Sequence, residues 1–229
     1  MSKPYVLIDS GHNEFTAGKR SPDNLLKEYE FNLDVSQRIK VLLEKHGVKA
    51  VVQQVKIADS AKELSERVRQ ANDKKPDLLV SIHANAWGSG FNSANGWEIY
   101  CWKMEGESYE LAHAIKEESI PFLGLRNRGI KDGSHLAMIA GTTMPAVLVE
   151  HGFYTNEAEC ELLKTDAFRQ KCAVADAKGI LKHLNIAWIA GEGNREIVKQ
   201  RFGFAENTME YLDNYKYADA LYERLALTK

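Results

Sequence analysis

Three short apolar runs, each ending abruptly on a chemically capable side chain, constrain this chain more than any other feature. Val6-Leu7-Ile8 gives way to Asp9-Ser10-Gly11-His12, Leu78-Leu79-Val80-Ser81-Ile82 ends at His83, and Ala146-Val147-Leu148-Val149 ends at Glu150. Runs of this length bounded by turn residues read as buried strands. Strands buried on both faces, alternating with helices, predict an α/β fold: a mostly parallel twisted sheet with helices on both faces. In such sheets chemistry collects beyond the carboxyl ends of the strands. Two imidazoles and a carboxylate stand at three of those ends.

The segments between the strands fit this plan. A long helix is expected from about Leu25 to His46, ended by Gly47, because Phe31, Val35, Ile39 and Leu42 step by four, four and three. One further step back from Phe31 reaches Glu28, so Glu28 lies on the face that meets the sheet while Glu30 points away. A carboxylate on a packing face needs a partner or a ligand. Val48 to Val55 reads as a strand, and Ser60 to about Asn72 as a helix, with Ser60 and Glu63 spaced as a capping box. Gly96 to Trp102 reads as a strand, Glu107 to Ile120 as a helix stopped by Pro121, Leu136 to Ile139 as a short strand, and Asp166 to Leu184 as the last long helix of this unit. Residues 1–187 thus form the main domain. Gly191-Glu192-Gly193-Asn194 falls in a linker at 188–194, and residues 195–229 form a small helical appendage broken near Asp213-Asn214.

Composition narrows the function classes. The chain has 229 residues, 44% hydrophobic and 27% charged, enough apolar material for a core without disulfides. A net charge of −2 argues against nucleic acid or an anionic membrane surface as partner. Cys101, Cys160 and Cys172 form no Cys-x-x-Cys pair, and no stretch approaches the roughly 18 apolar residues that would insert into a membrane. Met1-Ser2-Lys3-Pro4 runs directly into a strand, with no expected signal peptide.

His12, Glu28 and His83 are a ligand set suited to one Zn2+ ion, and two His plus one Glu with a position left for water characterises catalytic zinc sites. Each residue alone has a plainer reading: a loop histidine, a first-turn acid facing the helix dipole, a satisfied core histidine. Their expected convergence favours the metal. Glu150, at the end of a central strand, would have its carboxyl pKa raised by desolvation, as suits a general base near neutral pH. A salt bridge to a basic residue is the alternative. Asn85, two residues past His83, and His135 are candidates for holding substrate. His151 is expected on the opposite side of its strand from Glu150.

These residues resemble a known family, the zinc-dependent N-acetylmuramoyl-L-alanine amidases of bacterial cell walls and phage endolysins. The matching segments are Ile8-Asp9-Ser10-Gly11-His12, Glu28-Tyr29-Glu30-Phe31-Asn32-Leu33, Ser81-Ile82-His83-Ala84-Asn85-Ala86 and Pro145 through Asn156, in the family's order. The resemblance spans about residues 4 to 184. It implies zinc held by His12, Glu28 and His83, catalysis by Glu150, and peptidoglycan as partner. It also implies a reaction in which Glu150 takes a proton from the attacking water and delivers it to the leaving L-alanine amine. Ser10-Gly11-His12-Asn13 departs from the Pro-Gly-His-Gly of many members, beside the ligand without replacing it. Rival readings are a zinc peptidase cutting within the stem peptide and a non-catalytic wall-binding module. A phosphate-cradling Ser10-Gly11 loop lacks a glycine-rich run and a P-loop lysine.

The tail lies outside this resemblance. Phe204, Thr208, Tyr211, Tyr215, Ala218, Tyr222 and Leu225 alternate steps of four and three, the pattern of a small bundle with its own core, or of a wall-binding or homodimer seam. A wall hydrolase without a leader is expected to wait in the host cytoplasm until release, as an endolysin does.

Overall fold

The computed structural model describes residues 3–188, 192–213, 221, 222 and 225. Strands β1 (Tyr5–Ser10), β2 (Lys49–Gln53), β3 (Leu78–Asn85), β4 (Trp97–Cys101), β5 (Asn127–Asp132) and β6 (Ala146–Phe153) form one sheet in the order β2-β1-β3-β6-β4-β5. Every neighbouring pair is parallel except β4 and β6, which run antiparallel. The expected mostly parallel sheet is therefore present.

Helices cover both faces. On one, α6 (Asp166–His183) packs between α1 (Glu28–Lys45) and α3 (Gly106–Leu123). Strand periodicity decides what faces them: Val6, Ile8, Val80, Ile82, Val147 and Val149 join Phe31, Val35, Ile39, Ile115 and Ile180 in the main core. The alternate positions Leu7, Leu79 and Ala146 face the other way, against Ala71 of α2 (Ser60–Lys74) and Met138 of α4 (Ala137–Ala140). Helix α5 (Glu157–Lys164) follows β6. The three cysteines are free and buried.

Several local expectations are corrected. Helix α1 begins at Glu28, not Leu25, because side chains of Ser21 and Asp23 capture the backbone N–H groups of Leu26 and Leu25 and hold that segment as a turn. The cap of α2 is Asp59, whose carboxylate accepts from the N–H groups of Ala61 and Lys62. Glu63 is buried beside Arg67 at 3.7 Å instead of reaching back to the helix start. Pro121 does not stop α3, which runs on to Leu123 and ends at Gly124 in the left-handed region. The buried apolar face of Leu111, Ile115 and Leu123 offsets the one backbone bond that proline removes. Residues 136–139 enter the short helix α4, not a strand; so short an apolar run carries no decisive period.

In the tail, α7 (Glu192–Phe202) starts inside the segment read as a linker, and α8 (Glu206–Asp213) follows. Helix α7 packs on α6. Ile197, Val198, Met209 and Tyr222 form a small separate cluster, against which Phe122 of α3 also packs. Tyr215 and Ala218, the middle of the aromatic seam, lie outside the described residues.

Candidate metal centre and active site

The centre is assembled from the end of β1, the first turn of α1 and the end of β3. The backbone turns sharply after β1, with Gly11 donating to the Ile82 carbonyl at 3.1 Å and His12 in the left-handed region at φ 60°. Only glycine fits at position 11, since a Cβ there would sit 2.3 Å from the His83 ring. Asn32, one turn into α1, donates to the Gly11 carbonyl at 2.9 Å and so ties the loop to the helix that carries Glu28.

The Glu28 Oε1 atom lies 3.4 Å from His12 Nε2 and 3.0 Å from His83 Nδ1, and the two imidazoles meet edge to face at 5.0 Å. One ligand-type atom from each residue falls within 4.8 Å of the others, a cluster able to hold a metal ion. Burial pushes the His12 pKa down to about 3, against the pull of Glu28, so the ring is neutral at physiological pH. Neutral imidazole is the form that binds metals. Burial pushes the Glu28 pKa upward, but His12 and His83 outweigh it and keep the carboxylate ionised. Its second oxygen, Oε2, is buried and has no hydrogen-bond partner among the described residues. An uncompensated buried carboxylate oxygen is costly, and a cation removes that cost. Two imidazoles and one carboxylate are a donor set that zinc accepts.

Glu150 stands directly across from His83 in the β3–β6 register. Its Oε2 atom is likewise buried without a hydrogen-bond partner among the described residues. Desolvation, with the neighbouring carboxylates of Glu28 and Glu98 adding to it, raises its pKa well above the ordinary carboxyl value. No ion pair between Glu150 and a basic residue is seen among the described residues. His151 does point the other way, into the core, where its Nε2 meets Asp176 of α6 at 2.9 Å. Tyr154 is buried nearby, and its phenol is kept protonated by burial and by Glu28 and Glu150. Beneath the centre, Asp9 is saturated by Arg67 and by the Ser81 hydroxyl at 2.7 Å, with Gln53 alongside.

The two substrate-binding candidates fall differently. Asn85 lies on the site face, its amide donating to Glu98 at 2.7 Å. His135 is exposed and sits edge-on to Tyr100 at 6.1 Å. Sequence reasoning missed Glu98, Tyr100 and Arg128, which share that face. Alternation along β4 put Glu98 and Tyr100 together, but nothing in the sequence placed β4 beside β6.

The fold gathers a cluster able to hold a metal ion beside a buried carboxylate, and comparison with known proteins gives the class. The family whose model matches residues 6–182 is described as N-acetylmuramoyl-L-alanine amidase. An endolysin of Bacillus phage SPP1 is 33% identical over 81% of this chain and 68% of its own length. The N-acetylmuramoyl-L-alanine amidase LytC of Bacillus subtilis (strain 168) is 34% identical over 78% of this chain and 35% of its own. The catalytic domain of CwlV, an amidase from Bacillus (Paenibacillus) polymyxa var. colistinus, superposes with a TM-score of 0.72 at 31% identity, covering 80% of this chain and 99% of that domain. The chain belongs to the N-acetylmuramoyl-L-alanine amidase family. It is an enzyme that hydrolyses amide bonds in peptidoglycan and acts on the bacterial cell wall. That settles the reaction against the peptidase and binding-module readings. Among the described residues no helix is long and apolar enough to cross a membrane.

Proposed function

We propose that His12, Glu28 and His83 hold one zinc ion and that Glu150 is the general base and acid of the amidase reaction. One observation carries this reading: Glu28 Oε1 meets both imidazoles, while Glu28 Oε2 and Glu150 Oε2, the latter on the residue across from His83, are buried without a hydrogen-bond partner among the described residues. When bound, zinc supplies a lowered pKa for water and polarisation of the lactyl carbonyl. Glu150 accepts the proton of the attacking water at a carboxylate whose affinity for protons is raised by its surroundings, then passes it to the departing L-alanine nitrogen. The bond between the lactyl carbonyl and that nitrogen breaks, leaving a bare glycan and a free stem peptide. Gly11 and Asn32 fix the two sides of the cluster, and the Asp9–Arg67 pair fixes the strand end beneath it. We keep Asn85 and His135 as substrate-holding candidates; the Asn85 amide on Glu98 supports the first.

We read residues 1–187 as the catalytic unit and the tail as a wall-binding or dimerisation element. A phage-type endolysin role, with the enzyme waiting in the host cytoplasm, is favoured by the likeness to the SPP1 endolysin. The decisive experiment measures metal content and release of L-alanine amino termini from purified walls. Native protein is expected to carry about one zinc per chain. Glu150→Gln is expected to keep that zinc and lose about 10²–10⁴-fold in rate. A Glu150→Gln enzyme that cuts at the native rate removes Glu150 from the mechanism; native protein that takes up no zinc removes the metal.

A further inference from the structure

The strands place four chemically capable residues in one row across the sheet. His83 on β3 is registered with Glu150 on β6 and Glu150 with Glu98 on β4; at the irregularity in the β4–β5 register the Arg128 side chain then reaches Glu98. Directly paired residues project from the same face, so this row runs away from the metal cluster toward β5. At its far end, Glu98 is buried and takes every bond a carboxylate can comfortably accept. Asn85 and the Tyr100 hydroxyl donate to one oxygen, at 2.7 and 2.9 Å. Arg128 Nε donates to the other at 2.6 Å, and Lys131 Nζ pairs with that same oxygen.

Two cations thus share the one carboxylate they touch. Neither cation is buried: the Arg128 side chain is 27% exposed and that of Lys131 is 35% exposed. Glu98 occupies only one edge of the guanidinium, and the Phe153 ring supports its plane at 4.9 Å. The ammonium has three protons, of which Glu98 takes one. Arg128 Nη1 also donates to the Asn95 carbonyl at 3.4 Å, and the result is a pair of part-exposed cations held by one buried carboxylate with donors left over. That arrangement suits a carboxylate arriving from solvent.

We propose that Arg128 and Lys131 form a specificity subsite that binds a free carboxylate on the stem peptide leaving the active site along this row. The inference rests on the amidase reading of the His83–Glu150 end. Neighbouring strands are about 4.8 Å apart, so Arg128 lies about 10 Å from Glu150. An extended peptide covers roughly 3.3–3.6 Å per residue, which puts the carboxylate on about the second or third residue past the scissile bond. Glu98 acts as a positioning residue, orienting both cations without touching the peptide.

The test uses full-length zinc-loaded enzyme and two synthetic muramoyl tripeptides. They are identical except that the second and third residues carry free carboxylates in one and carboxamides in the other. Native enzyme is expected to favour the carboxylate substrate by roughly tenfold in kcat/KM, the worth of one charge-assisted hydrogen bond, with the difference carried by KM. Arg128→Gln and Lys131→Gln should each shrink that preference, the double variant should abolish it, and Arg128→Lys should retain part of it. Equal cleavage of both substrates by native enzyme overturns the subsite while leaving the amidase reading intact. So does an Arg128→Gln enzyme that slows equally on both, the signature of a purely structural ion cluster. Native enzyme that frees L-alanine amino termini from neither substrate overturns the active-site reading, and the subsite with it.

Discussion

Glu150 and His151 are neighbours on one strand, yet the chain treats their two sides oppositely. On the core side, His151 and Asp176 are fully buried and spend their charge on each other. Asp176, with Cys172 adding to it, raises the His151 pKa well above the ordinary imidazole value although burial opposes this. On the other side, Glu150 stands across from His83 with the carboxylates of Glu28 and Glu98 as its charged neighbours. Unpartnered buried atoms occur on both sides: Glu28 Oε2 and Glu150 Oε2 on one, His151 Nδ1 and Asp176 Oδ1 on the other, have no hydrogen-bond partner among the described residues. What differs is the charge: opposite charges meet at 2.9 Å in the core, while like charges crowd together at the site. An ion pair closed on itself holds helix α6 to the sheet; a group of carboxylates beside imidazoles is what a cation neutralises. Residue identity alone does not separate structure from catalysis here. Charge balance does.

The largest effect should come from breaking the closed side. Asp176→Asn leaves His151 without its counter-charge and is expected to cost about 3–5 kcal/mol of stability by denaturant titration, with the specific activity of the folded fraction unchanged. Because the His151 pKa is raised on folding, the pair's contribution is fully present below pH 6.5 and fades as pH rises through the raised value. The stability gap between native and Asp176→Asn should therefore narrow at alkaline pH. A gap constant from pH 6 upward would show that the charge of His151 is not what holds it. Next comes Gly11→Ala, whose added methyl must displace the His83 ring. A cost of about 1–3 kcal/mol is expected from the overpacking. A roughly 10–100-fold loss of zinc affinity, read by competition with a chromogenic chelator, should accompany it. Unaltered affinity would mean that the ring position is not set by this glycine.

The smallest effect has the opposite sign. A carboxyl whose pKa is raised on folding destabilises the native state as pH climbs past its ordinary value of 4.5. Metal-free Glu150→Gln should thus melt slightly above metal-free native protein at pH 7, and the two should converge below pH 4. A variant that melts lower at pH 7 would reveal a stabilising partner for Glu150 and erase the contrast between the two sides.

The site was more legible in the sequence than its surroundings, for physical reasons. Apolar runs ending at His83 and Glu150 mark parallel strands whose ends must lie together, and helical stepping from Phe31 put Glu28 on the right face. Edge elements carry no such signal. Strand β5, Asn127–Asp132, is half exposed and reads Asn-Arg-Gly-Ile-Lys-Asp, with a single large apolar residue to betray it. Helix α5 is short and was missed, and α4 looked like a strand because four residues cannot display a period. The Glu98 cluster was invisible because it depends on β4 inserting between β6 and β5, a tertiary choice. The cap of α2 went to Asp59 over Ser60, a one-residue shift that composition cannot resolve.

The scatter of the cluster along the chain also fixes when it can exist. Fifty-five residues separate Glu28 from His83, and the three side chains ride on three different elements. No fragment made early in synthesis contains all three, so no local loop can trap a metal before the sheet has formed. The interior, meanwhile, closes around aliphatic and aromatic side chains that owe nothing to an ion. The interior needs no ion to close, unlike small zinc modules, whose folding is the binding event. Under the proposed zinc assignment the metal would add stability only in proportion to the logarithm of its free concentration. Chelation is then expected to leave the fold standing and take the activity alone, so that the protein's survival and its work answer to different conditions.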